Sequence, residues 1–169
     1  MNNIILKQDK QRYIGEEIPA FQKWYRRTQS AQNFALKMFC KLMFVLSKRR
    51  HHIELSEKTN IGAGLYFGHA YGITINPNTR MGENNNLHKG VTIGQENRGK
   101  RRGTPVIGDM VWIGVNVTIV GAITIGNDVL IAPNAYVNCD IPDHSIVIGN
   151  PCIIKHCDNA TEGYINRSI

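Results

Sequence analysis

An aliphatic residue recurs at every sixth position in the second half of the chain, and this period constrains the fold most. Six such positions keep one unbroken phase: Ile107, Ile113, Ile119, Ile125, Ile131 and Val137. The position four residues after each is also apolar: Val111, Val117, Ile123, Val129, Ala135 and Ile141. Because six is not a multiple of 3.6, this period does not fit one face of a helix, and the β-branched residues favour strands.

A six-residue repeat with two inward positions is a short strand followed by a turn. Three repeats make one triangular coil, and stacked coils bury a continuous aliphatic column between short parallel strands. The phase also runs through upstream positions, with a two-residue slip after Phe67: Leu55, Ile61, Phe67, Ile75, Met81, Leu87 and Ile93. We predict a mainly β protein, a parallel β-helix of about five coils between Ile53 and Ile141, with residues Gly94–Pro105 looped out.

The first third of the chain has helical spacing instead. Apolar residues follow a helical period from Glu16 to Leu46, and a break between two helices is predicted within Thr28–Gln32. The apolar run Phe34–Leu46 then meets the basic residues Lys48–Arg50. Two interpretations stay open: this helix packs on its own domain or a neighbouring subunit, or it makes a peripheral membrane contact with a basic rim.

Charge is distributed unevenly along the chain. The net charge is +7, and the first 52 residues alone carry eleven Lys and Arg against three Asp and Glu. The remainder is close to neutral, apart from a basic cluster at Arg98–Arg102. This asymmetry argues against a uniformly basic nucleic-acid-binding protein, so no nucleic-acid partner is expected.

The four cysteines form no CxxC pair and no zinc-binding pattern. We expect reduced, structural thiols in a cytoplasmic protein, and no bound metal. The composition changes predict three parts: a helical region at 1–52, a β-helix domain at 53–155 and a C-terminal tail at 156–169.

Several segments resemble the hexapeptide-repeat acyltransferases, in particular the serine acetyltransferase-like branch. Gly62–Gly72 resembles the catalytic segment of serine acetyltransferases, and Gly90–Gly94 matches their next motif. Val111–Gly114 and the exit segments Asp140–Pro142 and Gly149–Pro151 are similar to the later coils. The resemblance spans about residues 53–155. It implies a left-handed helix, acetyl-CoA as co-substrate and a homotrimer with sites between subunits, and it leaves pairing of trimers open.

Acetyl transfer to a hydroxyl needs a base, and histidine titrates in the suitable range. The resemblance implies that His69 is this base. It implies that Glu54 takes the place of the family's orienting aspartate, since it precedes His69 by about one coil. His88 lies about one coil later; we expect it to contact the substrate, with a role as rival base left open.

Coenzyme A lies in a groove between neighbouring prisms in this family. The resemblance therefore implies that Val115 and Pro133, in two later coils, contact the cofactor. Lys155 and the basic cluster Arg98–Arg102 are predicted to meet its phosphates, although the cluster also fits a solvated loop.

The acceptor is predicted from two positions at which the sequence differs from serine acetyltransferases. Thr104 stands where serine acetyltransferases carry the histidine of an Arg-His-Pro segment, and Gly94-Gln95-Glu96 replaces their Gly-Gly-Thr. These departures resemble the colanic-acid and capsular polysaccharide O-acetyltransferases. We therefore expect a sugar hydroxyl in surface polysaccharide synthesis, at the cytoplasm or the inner membrane face. The alternatives are serine O-acetylation in cysteine biosynthesis and a non-catalytic β-helix binding module.

Overall fold

The computed structural model describes residues 3–169 and consists of three helices followed by a parallel β-helix. The helices are α1 (Ile4–Gln11), α2 (Ala20–Ser30) and α3 (Phe34–Arg50). The break lies at residues 31–33, slightly later than predicted. The side chain of Asn33 accepts a hydrogen bond from the Leu36 amide and caps α3, which fixes where that helix begins.

From residue 53 onward, short strands form three sheets, which are the faces of a triangular prism. The first sheet contains β1 (Asn60–Ile61), β4 (Arg80–Met81), β7 (Val106–Ile107) and β10 (Thr124–Ile125). The second contains β2 (Tyr66–Gly68), β5 (Asn86–His88), β8 (Val111–Ile113), β11 (Val129–Ile131), β13 (Ser145–Ile148) and β14 (Ile153–His156). The third contains β3 (Thr74–Ile75), β6 (Thr92–Gly94), β9 (Thr118–Val120) and β12 (Tyr136–Val137). Neighbours are parallel except β13 and β14.

The predicted aliphatic column forms the core of the prism. Every position of the six-residue phase from Leu55 to Val137 is 5% exposed or less. Complete burial of one such side chain contributes roughly 1.5–3 kcal/mol. The repeat therefore supplies the main driving force for stacking the coils, and the prediction of a β-helix with about five coils is confirmed.

The segment that breaks the repeat is a looped-out hairpin between β6 and β7, as predicted. Glu96 and Gly103 pair through their backbones, and Arg101 forms an exposed salt bridge of 3.1 Å with Glu96. The basic cluster therefore lies on a loop outside the prism.

The last residues fold back along the outer face of the second sheet. Tyr164 packs on Trp112 with ring centroids 5.0 Å apart. The Asp128 carboxylate holds the start of this return by accepting hydrogen bonds from the Ala160 amide and from the amide and hydroxyl of Thr161. His144 Nδ1 lies 2.9 Å from the same carboxylate.

We call these contacts of the Asp128 carboxylate with Ala160, Thr161 and His144 the Asp128 latch, and we expect its stability to depend on pH. Burial would raise the pKa of Asp128, but the hydrogen bonds from Thr161, His144 and Ala160 outweigh it and hold that pKa below its usual value. The hydrogen bond to Asp128 raises the pKa of His144. The stability that protonated His144 contributes is complete below about pH 6.5 and is lost as pH rises through its raised pKa. The stability that ionised Asp128 contributes is complete above about pH 3.9 and is lost as pH falls through its lowered pKa.

Hydrogen exchange at the Ala160 and Thr161 amides, corrected for intrinsic rates, should therefore be slower at about pH 6 than at about pH 9. His144→Ala should remove this difference. His52→Ala is the matched control, because His52 is another exposed histidine with a left-handed φ (51°, against 55° for His144) and packs on Tyr71, away from the Asp128 carboxylate. Equal protection at both pH values in the unaltered protein would contradict the latch.

Candidate active site

His69, His88 and two of the predicted cofactor residues share one edge of the prism. This edge, called here the His69 edge, consists of the stacked corners at residues 68–73, 88–91, 114–117 and 132–135, which join the second sheet to the third. A backbone ladder connects the corners. The Gly90 amide donates to the Tyr71 carbonyl at 3.0 Å, and the Asn134 amide donates to the Val115 carbonyl at 2.9 Å.

The first corner of this edge is two residues longer than those above it. Phe67 is in register with Leu87, and Ile75 with Ile93. Eight positions separate Phe67 from Ile75 along the chain, whereas six separate Leu87 from Ile93. The additional residues are His69 and Ala70. His69 adopts a left-handed backbone conformation with φ 55° and is exposed. The two-residue slip in the sequence therefore corresponds to a longer corner, in which the His69 imidazole lies outside the prism.

His88 lies beside His69 on the outer face of β5. It is in register with Gly68, and a Cβ atom at Gly68 would stand 2.5 Å from the His88 ring. Glycine is therefore required there for the imidazole to lie flat across β2. The His88 ring also packs on Trp112, with centroids 4.6 Å apart.

The hydrogen bonding of His88 fixes which nitrogen can react. Its Nδ1 lies 2.9 Å from the Ile113 carbonyl, which can only accept, so Nδ1 carries a proton. Burial lowers the pKa of His88; the carbonyl contact opposes this, and the nearby His69 reinforces it. The ring is therefore neutral near pH 7, and its Nε2 is left as a hydrogen-bond acceptor.

Glu54 lies at the lowest level of the third sheet, directly below Thr74. Its amide donates to the Ile73 carbonyl, and its carbonyl accepts from the Ile75 amide, each at 2.8 Å. The carboxylate is exposed. Among residues 3–169 no hydrogen bond or salt bridge joins it to His69, so the predicted pair belong to the first coil but are not hydrogen-bonded to each other.

An open groove extends from Glu54 across the outer face of the third sheet. It has a volume of about 480 Å³ and is lined by Glu54, Thr74, Asn76 and Gly94, with Lys48 at one end. The groove offers carboxylate, hydroxyl and amide groups to a polar ligand. Sequence reasoning did not identify it, because its lining comes from four separate parts of the chain.

The predicted cofactor residues divide into two locations. Val115 and Pro133 occupy equivalent corners of the His69 edge, Val115 half-buried and Pro133 exposed. Lys155 lies on β14 in register with Ile146, away from this edge. The structure brings Val115 and Pro133 into line with His69 and leaves Lys155 apart from them.

His51, which follows α3 directly, contacts the first corner of the His69 edge. The ring is half-buried, packs on Phe21 and places Nδ1 3.0 Å from the Ala70 carbonyl. His51 thus supports the extended corner that carries His69. The contact could not be read from the sequence because it joins the end of α3 to the first coil.

Comparisons with known proteins agree with this geometry. The model of the bacterial transferase hexapeptide (six repeats) matches residues 104–139. A serine acetyltransferase from Helicobacter pylori is 35% identical over 98 residues, which are 58% of this chain and 57% of that protein. Over these ranges the chain is similar to bacterial hexapeptide transferases and to serine acetyltransferases. The chain spans little more than half the length of the Helicobacter pylori relatives that it matches.

Solved structures give the same result for the fold. A serine acetyltransferase in complex with CoA superposes with a TM-score of 0.67 at 24% identity, over 80% of this chain and 55% of that one. The Neisseria gonorrhoeae serine acetyltransferase in complex with serine gives 0.72 at 25% identity, over 90% and 69%. The fold is the left-handed parallel β-helix of these proteins. The expected closeness to polysaccharide O-acetyltransferases is not supported.

Proposed function

We propose that the chain is an acetyl-CoA-dependent O-acetyltransferase whose reaction takes place at the His69 edge. The observation that carries the proposal is the exposed His69 on its two-residue extension, beside the neutral His88 and in line with Val115 and Pro133. The similarity to serine acetyltransferases supports the same reaction class.

In the proposed reaction, His69 removes the proton of the acceptor hydroxyl as its oxygen attacks the thioester carbonyl carbon. The new carbon–oxygen bond forms, the carbon–sulfur bond breaks, and His69 returns the proton to the leaving thiolate. Glu54 orients the imidazole and stabilises its charged form. The Nε2 atom of His88 accepts a hydrogen bond from the acceptor.

The edge also fits the pantetheine arm of the cofactor. Val115 and Pro133 present apolar side chains at successive levels, along which an extended arm can lie. Lys155 and the basic cluster remain proposed contacts for the phosphates. The proposed homotrimer would form the groove between neighbouring prisms, and the proposed cytoplasmic location is where an enzyme finds acetyl-CoA.

L-Serine is the favoured acceptor, in place of the sugar hydroxyl predicted from the sequence. Its ammonium group can donate to His88 Nε2, and the relatives named above are serine acetyltransferases. A sugar remains the second candidate because the open groove beside Glu54 presents carboxylate, hydroxyl and amide groups. Thr104 also contributes no imidazole to the site; its hydroxyl donates to the Asn78 carbonyl at 3.2 Å and closes the base of the loop.

A thiol-release assay with acetyl-CoA tests the acceptor. We expect L-serine to be acetylated with a kcat/KM at least about tenfold above that of any simple sugar or oligosaccharide, because one hydrogen-bonded ammonium contributes roughly 1.5–3 kcal/mol. Turnover with sugars alone would move the proposal to a carbohydrate acceptor. Absence of thiol release with every acceptor would favour the non-catalytic binding module.

A further inference from the structure

A groove lies among the three helices, and no residue of the His69 edge lines it. It has a volume of about 500 Å³; Leu36 and Phe39 of α3 line one side, and Leu6, Lys7 and Lys10 of α1 the other. Trp24 and Arg27 of α2 complete the lining, and no carboxylate takes part. An apolar groove bordered only by cations matches a ligand with an apolar chain and an anionic head.

The exposed side of α3 continues this apolar surface. We call it the α3 face: Phe34, Met38, Phe39, Leu42 and Leu46, which are 50–79% exposed. These side chains follow one another at helical spacing, and Phe39 belongs to both the α3 face and the groove. A contiguous apolar surface of this kind marks a contact with another molecule or with lipid.

Charge identifies the partner. Helix α3 contains five basic residues and no acidic one. Of these, Lys41 is paired with Glu57, while Lys37, Arg49 and Arg50 are exposed without a salt bridge in the described chain. A second copy docked face to face would bring like charges together, whereas anionic headgroups would neutralise them.

We propose that α1 and α3 bind the surface of an anionic lipid bilayer, with the α3 face inserted among the acyl chains and Lys7, Lys10 and Arg27 at the headgroups. The helix would lie in the plane of the interface. No helix within residues 3–169 is long and apolar enough to cross a bilayer, and α3 has 17 residues. The Arg27 guanidinium stacks over Trp24 at 4.7 Å, which holds a cation beside an amphipathic ring.

Vesicle flotation of the full chain tests this proposal. We expect binding to phosphatidylcholine vesicles containing phosphatidylglycerol to exceed binding to pure phosphatidylcholine vesicles by about tenfold or more. The reason is that each basic residue close to an anionic membrane surface strengthens binding. Met38→Glu with Leu42→Glu should reduce binding about tenfold or more, because two charges would enter the acyl region. Equal partition into both vesicle types, or no binding to either, would refute the proposal.

A matched control uses another pair of exposed apolar neighbours. Ile148→Glu with Ile153→Glu places two charges on the β13–β14 hairpin, where the residues are 43% and 62% exposed, and should leave flotation unchanged.

Light scattering, which measures the molar mass of the particle in solution, distinguishes lipid binding from contact between copies. If the α3 substitutions lower the molar mass of the particle, the face is a contact between copies and lipid binding is wrong; an unchanged mass supports the proposal.

The groove is tested separately from the α3 face. Lys7→Gln with Lys10→Gln removes two exposed cations of its lining without disturbing buried contacts. We expect weaker flotation with phosphatidylglycerol vesicles, a smaller salt dependence and an unchanged circular dichroism spectrum. Binding and salt dependence equal to those of the unaltered protein would exclude a role for the groove.

Discussion

Replacement of His69 with asparagine is expected to lower kcat/KM for acetyl transfer by about 10²–10⁴-fold, the usual contribution of a general base. Asparagine is preferable to alanine here, because His69 has a φ of 55° and asparagine adopts left-handed conformations readily. The substitution therefore removes the imidazole with little cost to the corner. A thiol-release assay with acetyl-CoA and the best acceptor measures the effect.

The control for this substitution is His156→Asn, which changes an exposed histidine on β14 outside the His69 edge. It should leave kcat/KM within a few-fold. A loss of less than about tenfold for His69→Asn would contradict the assignment of His69 as base. In that case His88, whose Nδ1 is already fixed by the Ile113 carbonyl, would be the base to test.

Glu54 can be examined through its coupling to His69. If its carboxylate acts by orienting the imidazole, Glu54→Gln should lower kcat/KM in the unaltered protein and have almost no effect in the His69→Asn background. Equal effects in both backgrounds would show that Glu54 does not act through His69. This double-mutant cycle is needed because no hydrogen bond or salt bridge joins the two side chains in the described chain.

Replacement of Asp9 with alanine is expected to reduce the free energy of unfolding by about 3–5 kcal/mol, the usual cost of removing one partner of a buried ion pair. The Asp9 side chain is 0% exposed and lies 2.8 Å from Arg26 Nε. It also accepts hydrogen bonds from Gln22 Nε2 at 2.9 Å and from the Leu65 amide at 3.1 Å. The substitution would leave the buried Arg26 charge without its counterion.

This cluster attaches the helices to the prism. Arg26 donates to the Ile61 and Gly62 carbonyls at 2.7 and 2.6 Å, so Asp9 and Arg26 join α1 and α2 to the first coil. Urea denaturation followed by circular dichroism measures the change. The control is Glu57→Ala, which breaks the exposed Lys41–Glu57 pair and should cost no more than about 1 kcal/mol.

A second variant covers the case in which Asp9→Ala does not fold. Asp9→Asn keeps an oxygen that can accept from the Leu65 amide, so it should be destabilised less than the alanine variant but more than Glu57→Ala. If Asp9→Ala and Glu57→Ala cost the same, the buried cluster is not what attaches the helices.

The stacking of the coils was predictable because it follows from a local rule repeated along the chain. Each sixth aliphatic residue from Leu55 to Val137 is buried in the structure, and the looped-out segment lies where the phase is lost. The helical region was also predicted, with the break misplaced by about one residue because the Asn33 cap was not weighed. The prediction of a sugar acceptor was the weakest. Thr104 in place of a histidine shows only that the loop lacks an imidazole, and it does not indicate which acceptor binds.

The sequence alone determined the inward column, its period and the residue types available for chemistry, because burial and turn formation act on neighbours along the chain. Tertiary structure decided which side chains meet. Stacking places residues from successive coils about 4.8 Å apart, so His88 lies against Gly68, and the two-residue extension turns His69 outward. The Asp9–Arg26–Leu65 cluster and the groove between α1 and α3 likewise join residues that are distant in the chain, and their contacts exist only after the helices dock.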